Sequence, residues 1–232
     1  MTEDNFIEFK CPHCGTDTAF LERFAGAVQE CPTCEQPVIV PTQSAGVGGK
    51  VPPRLDTPRL LLRRLHPNDG PDILELMSDA GVMRELDWVP LNEEETAHWL
   101  EADPHEKWTL LGHPLTLALQ RREGGKLIGL ATFLFADDSH RQATISVFVN
   151  QAFQRQGYGT EAMRAMLILG FSALGLRRIT SACDQRNEAG CRMLLKAGLR
   201  REGDFIKDRC VKGEWVSTTY FALLAEEHRL ET

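Results

Sequence analysis

Apolar positions along this chain recur with two periods, and the points where one period gives way to the other divide most of it into elements. Leu60-Leu61-Leu62-Arg63-Arg64-Leu65 reads as a strand, and Pro67-Asn68-Asp69-Gly70 supplies a turn with capping residues. A helix follows with Ile73, Leu74, Leu76 and Met77, and a shorter one from Glu93 to Glu101 carries Trp99 and Leu100 on its apolar side. Leu115 to Gln120 and Lys126 to Phe135 flank the turn Arg122-Glu123-Gly124-Gly125 and form a hairpin, with another strand from Ala143 to Val149. Helical spacing then holds from Gly159 to Leu174, a strand from Arg178 to Cys183 follows, and a helix from Glu188 to Ala197 closes on Gly198. Strands around Gly203 to Asp208 and Val216 to Leu224 end the series. Antiparallel strands first and β-α-β-α-β later predict an α+β fold with a mixed, mostly antiparallel central sheet and flanking helices.

The 232 residues, 42% hydrophobic and 25% charged, suit one or two globular domains and exclude wholesale disorder. The longest apolar stretch, Ala165 to Leu176, is broken by Gly170, Ser172 and Gly175 and falls short of the roughly 20 residues of a membrane span. Met1-Thr2-Glu3-Asp4-Asn5 has neither the basic nor the apolar part of a signal peptide, so a cytoplasmic location is expected. Residues 43–53, rich in glycine and ending in Pro52-Pro53, read as a linker between a head at 1–42 and a body at 54–232.

Charge separates the two parts. The head carries Glu3, Asp4, Glu8, Asp17, Glu22, Glu30 and Glu35 against Lys10 and Arg23, and so holds most of the formal net charge of -7. It also holds four of the seven cysteines. Cys11-Pro-His-Cys14 and Cys31-Pro-Thr-Cys34 form two C-x2-C knuckles at the spacing of a four-thiolate zinc ribbon. Two thiolates on each tight turn complete a tetrahedron, and metal binding supplies the folding free energy that so small a core lacks. Four thiolates leave no open coordination position, so the Zn2+ is structural. His13 lies inside the first knuckle and is expected to be exposed. The acidic head disfavours nucleic acid, leaving a protein contact or a structural tether as its role.

The body's informative stretch is Gln154-Arg155-Gln156-Gly157-Tyr158-Gly159-Thr160, between a strand and an amphipathic helix. Glycines there allow a sharp turn, and the N–H groups of the turn and the helix start suit a pyrophosphate. Gly157-x-Gly159-x-x-Ala162 also fits a dinucleotide fingerprint, with Asp184 near the ribose-binding position. Against that reading, Asn150 to Gln156 separate strand and glycine, fewer than 80 residues remain, and the preceding strands look antiparallel.

Gln154, Gly157 and Gly159 match the acetyl-CoA motif Q/R-x-x-G-x-G/A, and over roughly residues 54 to 230 the body resembles the GNAT (GCN5-related N-acetyltransferase) superfamily. Within it the resemblance is greatest to the Rim-type branch, which acetylates the N-termini of ribosomal proteins. It is carried by Thr57-Pro-Arg-Leu-Leu-Leu-Arg-Arg-Leu65, by Val82-Met-Arg-Glu-Leu-Asp-Trp-Val-Pro90 with Glu93-Glu-Glu-Thr-Ala-His-Trp-Leu100, and by Asn187-Glu-Ala-Gly-Cys-Arg-Met-Leu-Leu-Lys-Ala-Gly-Leu199.

The resemblance implies direct transfer of acetyl from acetyl-CoA to an amine, such as a protein N-terminus, in a ternary complex. Phe148 and Val149 would bind the pantetheine arm, the run Gln154, Arg155, Gln156, Gly157, Tyr158, Gly159 and Thr160 the pyrophosphate, and Asn187 the cofactor arm. Asn187 is equally placed to cap the helix it precedes. The proton-handling positions depart from the family's pattern: the glutamate, serine and tyrosine sites are Thr144, Gly190 and Leu194. Asp87, Asp138, His140 and Cys191 are the substitutes considered, and Trp88 and Trp99 are candidates for the acceptor groove. Two other functions stay open: a catalytically weak acyl-CoA-binding module acting through a protein partner of the ribbon, and nucleotide-dependent redox chemistry at the same turn.

Overall fold

The computed structural model describes residues 6–21, 24, 26–40, 54–83, 92–102, 114–135 and 142–228. The linker, Asp87, Trp88, Asp138 and His140 lie outside them.

The head contains two hairpins, β1 (Phe6–Lys10) with β2 (Asp17–Leu21) and β3 (Val28–Glu30) with β4 (Pro37–Ile39), each a two-stranded antiparallel sheet. The apolar flanks of the knuckles, Phe6-Ile7-Glu8-Phe9 and Val38-Ile39-Val40, fit β1 and β4, whereas β2 and β3 are short and only partly buried and carry little apolar signal. Ile7, Phe9, Cys11, Cys31, Val38 and Val40 form the head's own small core.

The body is built on one eight-stranded sheet in the order β11-β12-β10-β9-β8-β7-β6-β5. Its strands are β5 (Arg54–Asp56), β6 (Leu60–Arg63), β7 (Leu115–Arg121), β8 (Leu127–Phe135), β9 (Gln142–Val149), β10 (Arg178–Asp184), β11 (Arg200–Val211) and β12 (Glu214–Leu224). Among these, β9 and β10 alone pair in parallel, as their helical crossover requires. The helices are α1 (Gly70–Ser78), α2 (Ala80–Met83), α3 (Glu93–Ala102), α4 (Tyr158–Ile168) and α5 (Glu188–Lys196). This is the expected α+β architecture, with β11 running well beyond the stretch read from its apolar residues.

Both faces of the sheet are covered, which explains the continuous apolar runs of β7 and β8. Leu115, Leu117 and Leu119 of β7 face a main core shared with α4 and α5, whereas Ala118 joins Leu65, Ile73, Leu76, Met77 and Leu100 beneath α1 and α3. Trp99 packs against that second core.

The long helix expected through Leu174 is α-helical only to Ile168. Leu169–Ala173 continues as a π turn, with the Leu174 N–H donating to the Leu169 carbonyl. Phe171 from this turn is buried, and its ring lies 5.0 Å from that of His228, which in turn lies 6.3 Å from His13 of the first knuckle. Ile39 of the head is 1% exposed within the body's main core, and Val28 packs against it. The head thus packs on the body. His13, expected to be exposed, is half-buried in that contact, and its Nε2 is enclosed.

Candidate active site

The site begins where β9 and β10 part. They pair in register only from Gln142–Thr144 against Arg178–Thr180, although β9 runs on to Val149 and β10 to Asp184. Beyond the paired stretch, Ser181 Oγ donates to the Ile145 carbonyl at 2.9 Å. Past that point a cavity of about 560 Å³ opens, lined by Ser146 to Val149 on one side and Ser181 to Asp184 on the other. A splayed strand end offers backbone N–H and C=O groups that no neighbouring strand uses, which suits an extended amide-bearing ligand.

The glycine turn continues from β9. Asn150 caps a 3-10 turn by accepting from the Ala152 N–H, and Gln154 Nε2 returns to the Val149 carbonyl at 2.9 Å. Gly157 then takes φ 86°, a left-handed conformation that glycine adopts without a Cβ penalty, and starts α4. The first turn of α4, whose leading N–H groups have no partner within the helix, borders a second cavity of about 460 Å³, lined by Gly157, Gly159, Thr160 and Asn187 among others.

The turn is braced from the chain's opening phrase. Thr57 Oγ1 and the Arg59 backbone N–H donate to Glu161 Oε1, the Arg59 guanidinium pairs with Glu161 Oε2 at 2.7 Å, and Arg59 Nη1 reaches the Gln156 carbonyl. Arg59 also lies over the Tyr158 ring at 4.5 Å. Burial by itself pushes the Glu161 carboxyl up, but the hydrogen bonds from Thr57 and Arg59 together with the arginine's charge hold it below its ordinary range.

Most of the expected cofactor contacts come together here. Phe148, Val149, Gln154, Arg155, Gly157, Gly159, Thr160 and Asn187 all line one cavity or both. Gln156 and Tyr158 do not: Gln156 Nε2 turns back to the Ala152 carbonyl, and Tyr158 is buried under Arg59 in the main core. Asn187 is the N-cap of α5, its Oδ1 accepting from the Gly190 N–H at 2.7 Å.

The proton-handling positions are as bare in space as in sequence. Thr144 Oγ1 shares a hydrogen bond with Thr180 Oγ1, and Leu194 is buried in the main core. Gly190 has a steric reason: a Cβ there would lie 2.8 Å from both Cys183 Sγ and Asn187 Nδ2. Cys183, which the sequence reading passed over, is therefore the thiol that lines the larger cavity. Cys191 lies elsewhere on α5, in a groove with Glu188, Leu195 and Phe221, its Sγ 4.0 Å from the Asp184 carbonyl.

Asp184, weighed in the sequence only as a ribose ligand, ends β10 with its side chain 2% exposed and holds Arg186 at 2.7 Å. Burial raises its carboxyl, and the hydrogen bonds and charge of Arg186 outweigh that and lower it. A carboxylate so held is a weak base. Arg186 and Arg209 line the cavity near it. Neither residue belongs to a sequence motif: Arg186 reaches Asp184 locally, two residues on, and Arg209 reaches it through strand register.

In the head, the four cysteine Sγ atoms lie within 4.8 Å of one another, with Cys11–Cys34 at 3.8 Å and Cys14–Cys31 at 3.9 Å. A tetrahedral zinc with bonds of about 2.3 Å sets its sulfurs about 3.8 Å apart, so the donor set fits the ion in type, number and spacing. The knuckles are built alike. The Gly15 and Glu35 N–H groups donate to the Cys11 and Cys31 carbonyls, and both residues have positive φ.

Comparison with known proteins agrees with this geometry. Residues 59–200 match the family model described as Acetyltransferase (GNAT) domain. The uncharacterized N-acetyltransferase YnaD of Bacillus subtilis (strain 168) is 32% identical over 176 residues, which is 75% of this chain and 98% of that protein. The crystal structure of a GNAT-family acetyltransferase from Bacillus anthracis superposes with a TM-score of 0.66 at 28% identity, covering 75% of this chain and 99% of that one. At 18% identity, spermidine N-acetyltransferase from Vibrio cholerae, in complex with CoA and spermine, shares the fold with a TM-score of 0.65 over 74% of this chain and 98% of that one. The splayed parallel strands, the glycine turn that heads α4 and the matched span from Arg59 to Arg200 have one meaning: the chain belongs to the GNAT acetyltransferase family and is an acyltransferase.

Proposed function

We propose that the chain transfers acetyl directly from acetyl-CoA to an amine, with a protein N-terminus as the acceptor type suggested by the Rim-like phrases, and that its head is a structural zinc ribbon. The observation that carries the transfer reading is the parting of β9 from β10 beside the glycine turn, which opens one cavity to both faces of the sheet.

In this reading the splayed end of β9 aligns the thioester arm, and the turn from Gln154 to Thr160 with the start of α4 receives the pyrophosphate. The neutral amine nitrogen attacks the thioester carbonyl carbon, the C–S bond breaks as the tetrahedral oxyanion collapses, and the proton the nitrogen gives up passes through solvent to the departing thiolate, so that CoA leaves as the thiol. Asp184 is held ionised by Arg186 and acts by fixing the far wall of the cavity rather than by taking a proton. Cys183 supplies a thiol donor beside position 190. Seven cysteines without disulfide partners accord with a reducing compartment such as the cytoplasm.

The second reading, an acyl-CoA-binding module with little turnover, is favoured by Thr144, Gly190 and Leu194 at the proton-handling positions. One assay separates the two: thiol release from acetyl-CoA with a panel of peptides and small amines, beside calorimetry of acetyl-CoA binding. Turnover on any acceptor supports transfer, and tight binding with no turnover supports the module. For the head, metal analysis of reduced protein is expected to return one zinc per chain, and a value well below one refutes the ribbon.

A further inference from the structure

The charges on the cavity wall distinguish its two ends. Among the described lining residues, Arg155, Arg186, Arg192 and Arg209 are positive, and Asp184 and Glu188 negative. Asp184 is paired with Arg186 at 2.7 Å, and Glu188 with Arg192 at 3.0 Å. Arg155 and Arg209 make no direct ion pair to a carboxylate among the described residues, although the charge of Arg209, after that of Arg186, also helps hold the Asp184 carboxyl low. Arg155 belongs to the glycine turn and lines both cavities, where the anionic phosphates of acetyl-CoA account for it. Arg209 lines the larger cavity alone, and the cofactor reading gives it no anion.

Strand register puts Arg209 on the opposite side of the sheet from the turn. Thr180 lies beside Thr144 and the two hydroxyls are bonded, so Ser146 and Phe148, and Ala182 and Asp184, continue on that same face at intervals of two. It is the face under α1 and α3, since Phe148 packs into their core, whereas Ile145 and Ile179 point to α4. Thr218 lies directly across from Asp184, and Arg209 Nε donates to Thr218 Oγ1 at 3.0 Å. The Arg209 guanidinium is thereby tethered one cross-strand step from Asp184. A register shift in β11 between Phe205 and Arg209, with Lys207 at φ 49°, sets its direction. With Nε occupied, the terminal nitrogens remain as a planar fork, a geometry matched to a carboxylate or phosphate.

This inference rests on the acetyltransferase reading and narrows its substrate. We infer that Arg209 binds a carboxylate or phosphate borne by the acceptor itself, so that the acceptor is an anionic amine and not a polyamine. A polycation entering from that face would meet Arg209 as a like charge, with the Asp184 carboxylate already committed to Arg186.

The test uses full-length protein and two matched pairs of acceptors: the amidated peptides Ala-Glu-Asp and Ala-Lys-Lys, and phosphoethanolamine against putrescine. The expected result is a kcat/KM at least tenfold higher for the anionic member of at least one pair; the pair that responds tells a carboxylate source from a phosphate source. Arg209→Met is expected to raise KM for that acceptor at least tenfold and collapse the preference, while the Kd for acetyl-CoA stays within twofold. Arg209→Lys is expected to recover part of the preference. Equal or better use of the cationic members, or an unchanged preference in Arg209→Met, overturns the inference. Turnover of none of the four also overturns it. If acetyl-CoA still binds in calorimetry, or a neutral amine is still acetylated, that failure belongs to this inference alone and the transferase reading is untouched by it.

Discussion

The four-cysteine head and the acetyltransferase body each place their key groups on turns with left-handed residues, yet they reach those turns by opposite routes. In the head, Cys11, Cys14, Cys31 and Cys34 come from two copies of one local pattern, and a core of a few side chains surrounds them. In the body, Thr57 meets Glu161 beneath the turn, and Asn187 and Arg209 line one cavity, because a full sheet with two packed faces holds them. A site made of adjacent residues can depend on its ligand to fold. A site assembled from distant strands must be folded by packing first.

The largest expected effect tests the head's dependence on metal. Cys31→Ser removes a buried thiol of the cluster, and on the proposed zinc-ribbon reading the ion contributes on the order of 10 kcal/mol. Zinc content should fall well below one per chain and limited proteolysis should cut within the head. Acetyl-CoA affinity should persist at low temperature, because the turn is braced by Arg59 and Glu161 and not by the head. Equal loss of both would break the contrast.

The seam between the two regions predicts a pH effect. Burial, with a smaller contribution from His13, pushes His228 down to about 4. Its folded pKa is thus below the unfolded value, so the unfolded chain binds the proton first. Stability contributed by keeping the ring neutral is intact above about pH 6.5 and declines as pH falls toward 4, by about 3 kcal/mol in all. Because acid also strips zinc thiolates, the informative measurement is the difference in denaturation midpoint between wild type and His228→Phe from pH 7 to 4. A constant difference would show that the ring is not titrating in this way.

Two substitutions sharpen the account of the body. Gly190→Ser would force a Cβ to within 2.8 Å of Cys183 Sγ and Asn187 Nδ2, at about 1–3 kcal/mol, and adding Cys183→Ala should recover a large part of the loss in chemical denaturation. Gly157→Ala meets a left-handed φ and Arg59 Nη2 at 3.2 Å, about 1–2 kcal/mol, which should appear as a roughly tenfold weaker Kd for acetyl-CoA. The smallest effect is in the head, where Glu35 stands at φ 57° in the place that Gly15 holds in the other knuckle. Glu35→Gly should raise the Tm slightly, corresponding to about 1 kcal/mol.

Much of this was legible because the relevant signals are local. The C-x2-C spacing states its own geometry, and Gln154, Gly157 and Gly159 announce a turn before a helix whatever surrounds them. Helices α1, α3 and α5 could be read from their apolar faces and caps. The π turn after Ile168 could not, and its Phe171 meets His228, 57 residues further on, beside the seam with the head. The assignment of Cys191 as a candidate followed its adjacency to position 190, but helix geometry turns it into a different groove, while Cys183 from β10 reaches the space beside Gly190.

By itself, then, the sequence determined the α+β class, the four-thiolate cluster, the turn at the head of α4 and the membership of the body, all of which depend on short-range spacing. Tertiary structure decided that the head packs on the body through Ile39 and His13, that β9 and β10 part to open a cavity, and that Asp184, Arg186 and Arg209 share its far wall. The last of these follows from strand register, which pairs Asp184 with Thr218 and so draws Arg209 to the site. Register is set by packing across the whole sheet, and no stretch of neighbouring residues encodes it.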